Sequence, residues 1–277
     1  MPTANYDKLL EPISDIRVTC ESLLTEAFGR MGGDQRESVK TMYASAGGLY
    51  ALVMDIITSL GLTNVARRRY IRDKASDVIV PLIEESQSLL DGVDGPLEEE
   101  QTVAIMFINE VSHNLRQNFR VLWNYSEALH RIGRLNKRIV DVTLLFESLK
   151  APTSYPLNIV YEVVPNVPDI FCDKTRITQA LEALIDNVAR HSGSDVVHIR
   201  ASRERGMILI TVRDQGNGIP ANAMKNVLEP FFQVDTITDG LGLGLPMAAA
   251  LVSWHQGQMR LKNDNGLVVE LYLPIAT

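Results

Sequence analysis

The sequence predicts an α+β protein in two parts: N-terminal antiparallel helical hairpins resembling a four-helix bundle, then an α/β sandwich. Three observations predict it. Up to Lys150, apolar residues recur at helical spacing, as at Val39, Met42, Ala46, Leu49 and Val53, with few turn signals between them. From Ala151 onward, Pro and Gly become common and short alternating runs appear. Within the helical half, a segment repeats itself 66 residues later.

The repeat aligns Glu21–Gln35 with Gln87–Gln101 without gaps, so that Ser, Leu, Leu, Gly and Gln coincide. The same offset carries Asp7 and Lys8 onto Asp73 and Lys74, and Val39, Met42 and Leu49 onto Ile105, Ile108 and Leu115. One register held through a turn points to duplication. Each unit reads as a helical hairpin that cannot bury its apolar stripe alone, so two must pack together, within one chain or in a homodimer. Breaks are expected at Met31–Gly33, Gly61–Thr63 and Gly92–Pro96. The expected organisation is hairpin 1 over 1–66, hairpin 2 over 67–132, a connecting helix over 133–150, and the sandwich over 151–277. Strands are expected at Leu157–Val163, Val196–Ala201, Met207–Val212 and Leu267–Leu273, with helices at Asp173–His191 and Pro246–His255.

Composition narrows the function. Of 277 residues, 45% are hydrophobic and 22% charged, the balance of a soluble globular protein. With 27 basic against 34 acidic residues the net charge is −7, which disfavours nucleic acid as the main partner. Cys20 and Cys172 form neither a disulfide framework nor a metal motif. The most apolar stretch, Gly47–Leu62, is interrupted by Asp55 and is shorter than the ~20 residues that cross a bilayer. No membrane partner and a cytoplasmic location are therefore expected.

Three segments of the second half carry chemistry. On the helix around Asn187, the residues Ile177, Leu181, Leu184, Ile185 and Val188 form the buried stripe, and Ala183, Asn187, Arg190 and His191 share the other face. An Asn amide oxygen there can ligate Mg2+, and a neighbouring Arg can meet phosphate oxygens. The alternating run Ile208–Ile210–Val212 ends at Asp214, followed by Gly216, Gly218 and Ile219, which delivers a carboxylate and a close backbone turn to one edge. The third segment contains Phe231 and Phe232, then Gly240, Leu241, Gly242, Leu243 and Gly244 leading into an apolar helix, a pattern suited to phosphates.

In order and spacing, these segments resemble the GHKL-type nucleotide-binding domain of sensor histidine kinases, gyrase-type ATPases and heat-shock-90 chaperones. The segments LEALIDNVARHS (181–192), VRDQGNGI (212–219) and LEPFFQVD (228–235) are most similar to the histidine-kinase branch. The resemblance implies ATP or ADP with Mg2+ as cofactors. It implies Asn187 for the metal, Arg190 for phosphates, Asp214 for adenine, and the glycine loop for the lid. His191 would contact the ligand. Ala183 stands where kinases carry a second Asn and gyrase-type enzymes a general-base Glu, so hydrolysis of the latter kind is not expected. The lid between Asp235 and Gly240 is short.

The resemblance also implies a phosphoacceptor His at the start of a hairpin. Counting back from Ser88–Leu90 reaches Asp73, with Asp7 as its counterpart and Pro12 matching the family's Pro. Both hairpins thus carry Asp where the histidine belongs. His113 is left with three readings, a histidine of the helix surface or bundle interface, a displaced phosphoacceptor, or a residue with some other role, and Asn114 supplies no activating carboxylate beside it. Two functions follow: a nucleotide-binding pseudokinase that acts by contact on a partner kinase or response regulator, or an autokinase using His113. No residues are left over for a sensor segment, so input would come from a partner or from nucleotide.

Overall fold

A computed structural model describes residues 7–58, 65–149, 157–234 and 240–276. The chain divides into two units, Met1–Trp123 and Asn124–Thr277.

The first unit is helical. Helices α1 (Asp7–Leu24), α2 (Gly33–Thr58), α3 (Val65–Leu90) and α4 (Glu99–Leu129) follow one another, α4 continuing past the unit boundary. Their apolar stripes interlock: Leu9, Ile13, Ile16 and Leu23 of α1, Val39, Met42 and Leu49 of α2, Ile79, Leu82 and Leu89 of α3, and Ile105, Ile108 and Leu115 of α4 are all buried. The break expected at Gly61–Thr63 lies outside the described residues.

Backbone geometry recurs 66 residues on. After α1, the N–H of Glu26 donates to Leu23 O and that of Ala27 to Ser22 O; after α3, Gly92 donates to Leu89 O and Val93 to Ser88 O. This paired bonding closes a helix through one left-handed residue, here Glu26 with φ 62° and Gly92 with φ 72°. The next helix starts at Gly33 in one hairpin and at Glu99 in the other.

Two buried glutamines tie the hairpins to each other. Oε1 of Gln35 accepts the N–H of Gly32 at 2.8 Å, and Oε1 of Gln101 accepts that of Glu98 at 3.0 Å, half of a capping box. Each Nε2 then crosses to the opposite hairpin turn, Gln35 donating to Gly95 O and Pro96 O and Gln101 to Arg30 O. Exposed ion pairs such as Lys40–Glu37 and Lys74–Asp77 contribute at most about 1 kcal/mol each. A buried amide leaves unsatisfied groups behind when removed, at about 1–3 kcal/mol, so the glutamines set the register.

The second unit is built on a five-stranded sheet of β2 (Asn158–Val163), β4 (Val196–Glu204), β5 (Met207–Asp214), β7 (Leu267–Pro274) and β6 (Gln258–Asn263), in that order. The β2–β4 pair is parallel and the others antiparallel. Helices α6 (Lys174–His191) and α7 (Gly244–Trp254) lie side by side. Ile177, Leu181 and Ile185 of α6, Ala248 and Leu251 of α7, and Val197, Ile199, Ile210 and Leu271 of the sheet form the core. Both cysteines are free and buried.

The connecting helix expected over 133–150 is not formed. α4 ends at Leu129, so His130 lies beyond it, and Arg131 turns the chain at φ 50°. Arg138–Val140 then form β1, antiparallel to β3 (Ile170–Cys172), and Val142–Glu147 form the short helix α5. The β-branched pair Ile139–Val140 favours strand pairing, and Asp141 then caps α5 by accepting from Thr143 N and Leu144 N. β3 and β6 are short strands that the alternation did not reveal.

Replacing Gln101 by Met, which keeps the volume and removes both hydrogen bonds, is expected to cost about 1–3 kcal/mol in urea unfolding. A loss below about 0.5 kcal/mol, the range of ordinary surface substitutions, would contradict the role given to the amides.

Candidate functional site

The N-terminus of α6 is fixed by Asp173. Its Oδ1 accepts Arg176 N at 3.2 Å and its Oδ2 accepts Asn136 N at 2.8 Å. Its own N–H donates to Nε2 of His255 at 3.1 Å. His255, fully buried at the end of α7, has its Nδ1 2.8 Å from Leu251 O. A ring that accepts at Nε2 and donates at Nδ1 is the neutral tautomer. Burial lowers the pKa of His255 below its ordinary value, with Lys137 and Arg176 adding to the shift and the Leu251 carbonyl and Asp173 opposing it. One residue thus locks α6 to the end of α7.

The stripe of α6 is buried as its spacing predicts, and Ala183, Asn187 and Arg190 are half-buried on the remaining surface. Arg190 Nε is paired with Asp186 at 2.8 Å, a partner one helical turn back on its own helix. His191 is exposed at the helix end.

Strand β5 delivers Asp214 to the site with 2% exposure. Its Oδ1 accepts Gly216 N at 2.9 Å and Leu267 N at 3.0 Å, so both hydrogen bonds from described residues end on one oxygen. No basic side chain among the described residues pairs with it. Gly216 runs against the end of α6, where a Cβ would collide with Ser192 O. Asn263 on β6 clasps the next turn, accepting Ile219 N at 3.0 Å and donating to Ile219 O at 2.7 Å, beside Gly218.

The third segment folds back on itself. Phe231 N–H donates to Gly242 O at 3.2 Å, and Gln233 Nε2 donates to Gly240 O at 3.1 Å. Gly242 has φ 64°, and a Cβ there would collide with Phe232 O, so only glycine fits. Leu241 and Leu243 are buried and Phe232 half-buried. Gly244 opens α7 against the Ala183 carbonyl. The N-terminus of α7 has no side-chain cap, which leaves its first N–H groups to other acceptors. Residues 235–239, the greater part of the short lid, lie outside the described residues.

Asn187, Arg190 and His191 therefore share one helix, Asp214, Gly216, Gly218 and Ile219 the adjoining strand end, and Gly240, Leu241, Gly242, Leu243 and Gly244 the loop that meets α6 at Ala183. His113 belongs to the other unit. It is exposed on α4, with Nδ1 3.3 Å from Arg116 Nη2. Sequence reasoning missed Asn263, Ser192, Asp186 and Gln233. The only sequence signal for Asn263 is its place before the Asp264–Gly266 turn.

The model of the family described as histidine kinase-, DNA gyrase B-, and HSP90-like ATPase matches residues 172–277. The alginate biosynthesis sensor protein KinB of Pseudomonas aeruginosa is 25% identical over 191 residues, covering 67% of this chain and 32% of KinB. Sensor histidine kinase WalK of Bacillus subtilis (strain 168) is 24% identical over 226 residues, covering 76% of this chain and 37% of WalK. The chain thus spans about a third of the length of these curated relatives. Among solved structures, full-length ShkA in complex with AMPPNP aligns with a TM-score of 0.64 at 20% identity, covering 76% of this chain and 46% of that one. The Acinetobacter baumannii histidine kinase AdeS aligns with a TM-score of 0.50 at 21% identity, covering 72% of this chain and 96% of that one.

Residues 172–277 are a domain of that ATPase family, in a chain homologous to sensor histidine kinases. Its architecture, a helical region followed by a mixed-sheet α/β domain, is that of histidine kinase structures. No helix among the described residues is long and apolar enough to cross a membrane.

The tautomer at His255 has a consequence for stability. The unfolded chain takes up a proton near pH 6.5 that the folded chain resists, so stability is full above that pH and declines as pH falls below it. His255→Asn, which does not titrate, is expected to unfold at lower denaturant concentration at pH 7.5 and to show a shallower loss between pH 7 and 5.5. An unchanged slope would contradict the assignment.

Proposed function

We propose that the C-terminal domain binds ATP or ADP with Mg2+ and that the chain works in two-component signalling as a nucleotide-responsive pseudokinase. The observation that carries the binding reading is Asp214. A nearly fully buried carboxylate is costly unless its oxygens are served, and among the described residues no basic side chain pairs with it and the backbone N–H groups that reach it end on Oδ1. The exocyclic amine of adenine would serve Oδ2. Backbone N–H groups of the Gly242–Gly244 segment and the uncapped start of α7 suit the phosphates. Among the described residues, no cluster of three or more His, Cys, Asp or Glu side chains could hold a metal by itself. The Asn187 amide oxygen would therefore share Mg2+ with the phosphate oxygens, as a hard cation retaining few protein ligands does. When bound, Mg-ATP would supply a polarised γ-phosphate. Arg190, steadied by Asp186, and His191 at the open end of α6 would border it.

The absence of autophosphorylation rests on the hairpins. Asp7 and Asp73 occupy the family's histidine positions, and both are exposed. His113 is exposed on α4 beside Arg116, and Asn114 follows it where an activating carboxylate would be needed. Regulation of a partner kinase or response regulator would therefore proceed by contact, with the four helices of one chain standing where a dimer would supply two hairpins.

The test uses the intact chain. Titration with Mg-ADP is expected to show saturable binding that Asp214→Ala weakens by about 100-fold or more, the loss of one charge-assisted bond and the burial around it. Incubation with γ-labelled ATP is expected to leave no acid-labile label. Acid-labile label that disappears on His113→Ala would establish the autokinase instead. Unaltered ADP affinity in Asp214→Ala would contradict the binding reading.

A further inference from the structure

The internal repeat provides its own control for surface composition. Position by position, α2 and α4 bury equivalent residues: Gln35 and Gln101, Val39 and Ile105, Met42 and Ile108, Leu49 and Leu115. Their outer faces differ. In the first hairpin Glu37 and Lys40 are exposed and Thr41 is half-buried, and Lys40 pairs with Glu37 at 3.0 Å, as expected of a solvated helix. Sixty-six residues on, the same three positions are Val103, Met106 and Phe107, exposed by 64%, 57% and 40%.

These three occupy i, i+3 and i+4, so they form one continuous apolar stripe on α4. Single exposed apolar residues need no explanation, whereas a contiguous stripe on one helix marks an interaction site. The rim of the stripe is acidic. Glu99 and Glu100 lie one turn before Val103 and Glu110 one turn after Met106 and Phe107, all exposed. The residues equivalent to them in the first hairpin are Gly33, Asp34 and Ala44, so one of the three rim positions is acidic there against three here.

From this asymmetry we propose that the Val103–Met106–Phe107 face of α4 is a docking surface, present once per chain, for a protein partner that presents an apolar helix face flanked by Lys or Arg. Burial of the three anchors supplies affinity, with Met106 adapting to the partner's shape, and the acidic rim supplies steering and excludes acidic helices. A duplicated bundle with two like faces would take two partners. This one offers a single seat.

The intact chain is titrated with a fluorescein-labelled amphipathic Leu/Lys helical peptide and with its Leu/Glu counterpart. The expected result is saturable binding of one Leu/Lys peptide per chain, weakened when salt is raised from ~0.05 M to ~0.5 M, and no saturable binding of the Leu/Glu peptide. The triple variant Val103→Glu, Met106→Lys, Phe107→Thr carries the residues that the first hairpin already accommodates at these positions. It is expected to melt as the parent does and to bind the Leu/Lys peptide at least about ten-fold more weakly. Glu99→Gln, Glu100→Gln and Glu110→Gln together are expected to remove most of the salt dependence while leaving the apolar stripe. Equal binding by the Val103/Met106/Phe107 variant, or equal affinity for the two peptides, would overturn the proposal. So would sedimentation in which the parent is a dimer and that variant a monomer, since a second copy would then cover the stripe.

Discussion

The carboxylate of Asp214 fixes where strand β5, the turn at Gly216 and the β6–β7 hairpin meet. Its Oδ1 holds the N–H groups of Gly216 and Leu267, from opposite sides of the strand end, so one side chain aligns two loops. Bonds of N–H groups to a charged acceptor are worth about 1.5–3 kcal/mol each, enough to outweigh the exposed Arg213–Asp264 pair at the same corner. Around that point the Gly216 backbone closes on Ser192, and Asn263 clasps Ile219. The second oxygen is held in place by the groups that occupy the first. A ligand meeting it encounters an acceptor already oriented, which limits the ordering cost of binding.

Elsewhere in the domain the two long helices are fixed to each other. Asp173 and His255 couple the start of α6 to the end of α7, and Gly244 brings the start of α7 against Ala183. In the helical unit Gln35 and Gln101 do the equivalent work, each capping its own helix and holding the other hairpin's turn. The two hairpins share this buried scheme and diverge on the outside. Packing constrains inward positions to near-identity of size and shape, whereas the outer face was free to become ion-paired in one hairpin and apolar in the other.

Much of this was legible in the sequence, because the decisive patterns are local. The 3–4 spacing of Ile177, Leu181, Leu184 and Val188 and the alternation ending at Asp214 depend on single elements. The 66-residue offset already paired Gln35 with Gln101, and the same offset relates the two hairpin turns. The candidate site residues are read from one helix face and from glycine spacing, which reflects backbone approach. What escaped was long-range. Nothing near Asn263 in the chain indicates that it clasps Ile219, and Asp173 gave no sign of meeting His255. Of the stretch 133–150 only Val142–Glu147, capped by Asp141, is helical; pairing of Ile139 with Phe171 makes a strand of the residues before it. Arg190 read as free for phosphates, and its pairing with Asp186 shows how a helix neighbour competes for such a group.

The central claim is that Asp214 presents an oriented acceptor to a base bearing an amine. Comparing the affinities of ADP and inosine diphosphate for the intact chain tests it most directly, since inosine places a carbonyl where adenine places the amine. The account predicts that ADP binds at least about ten-fold more tightly, because two acceptors would face each other in the inosine complex. Equal affinities would contradict it.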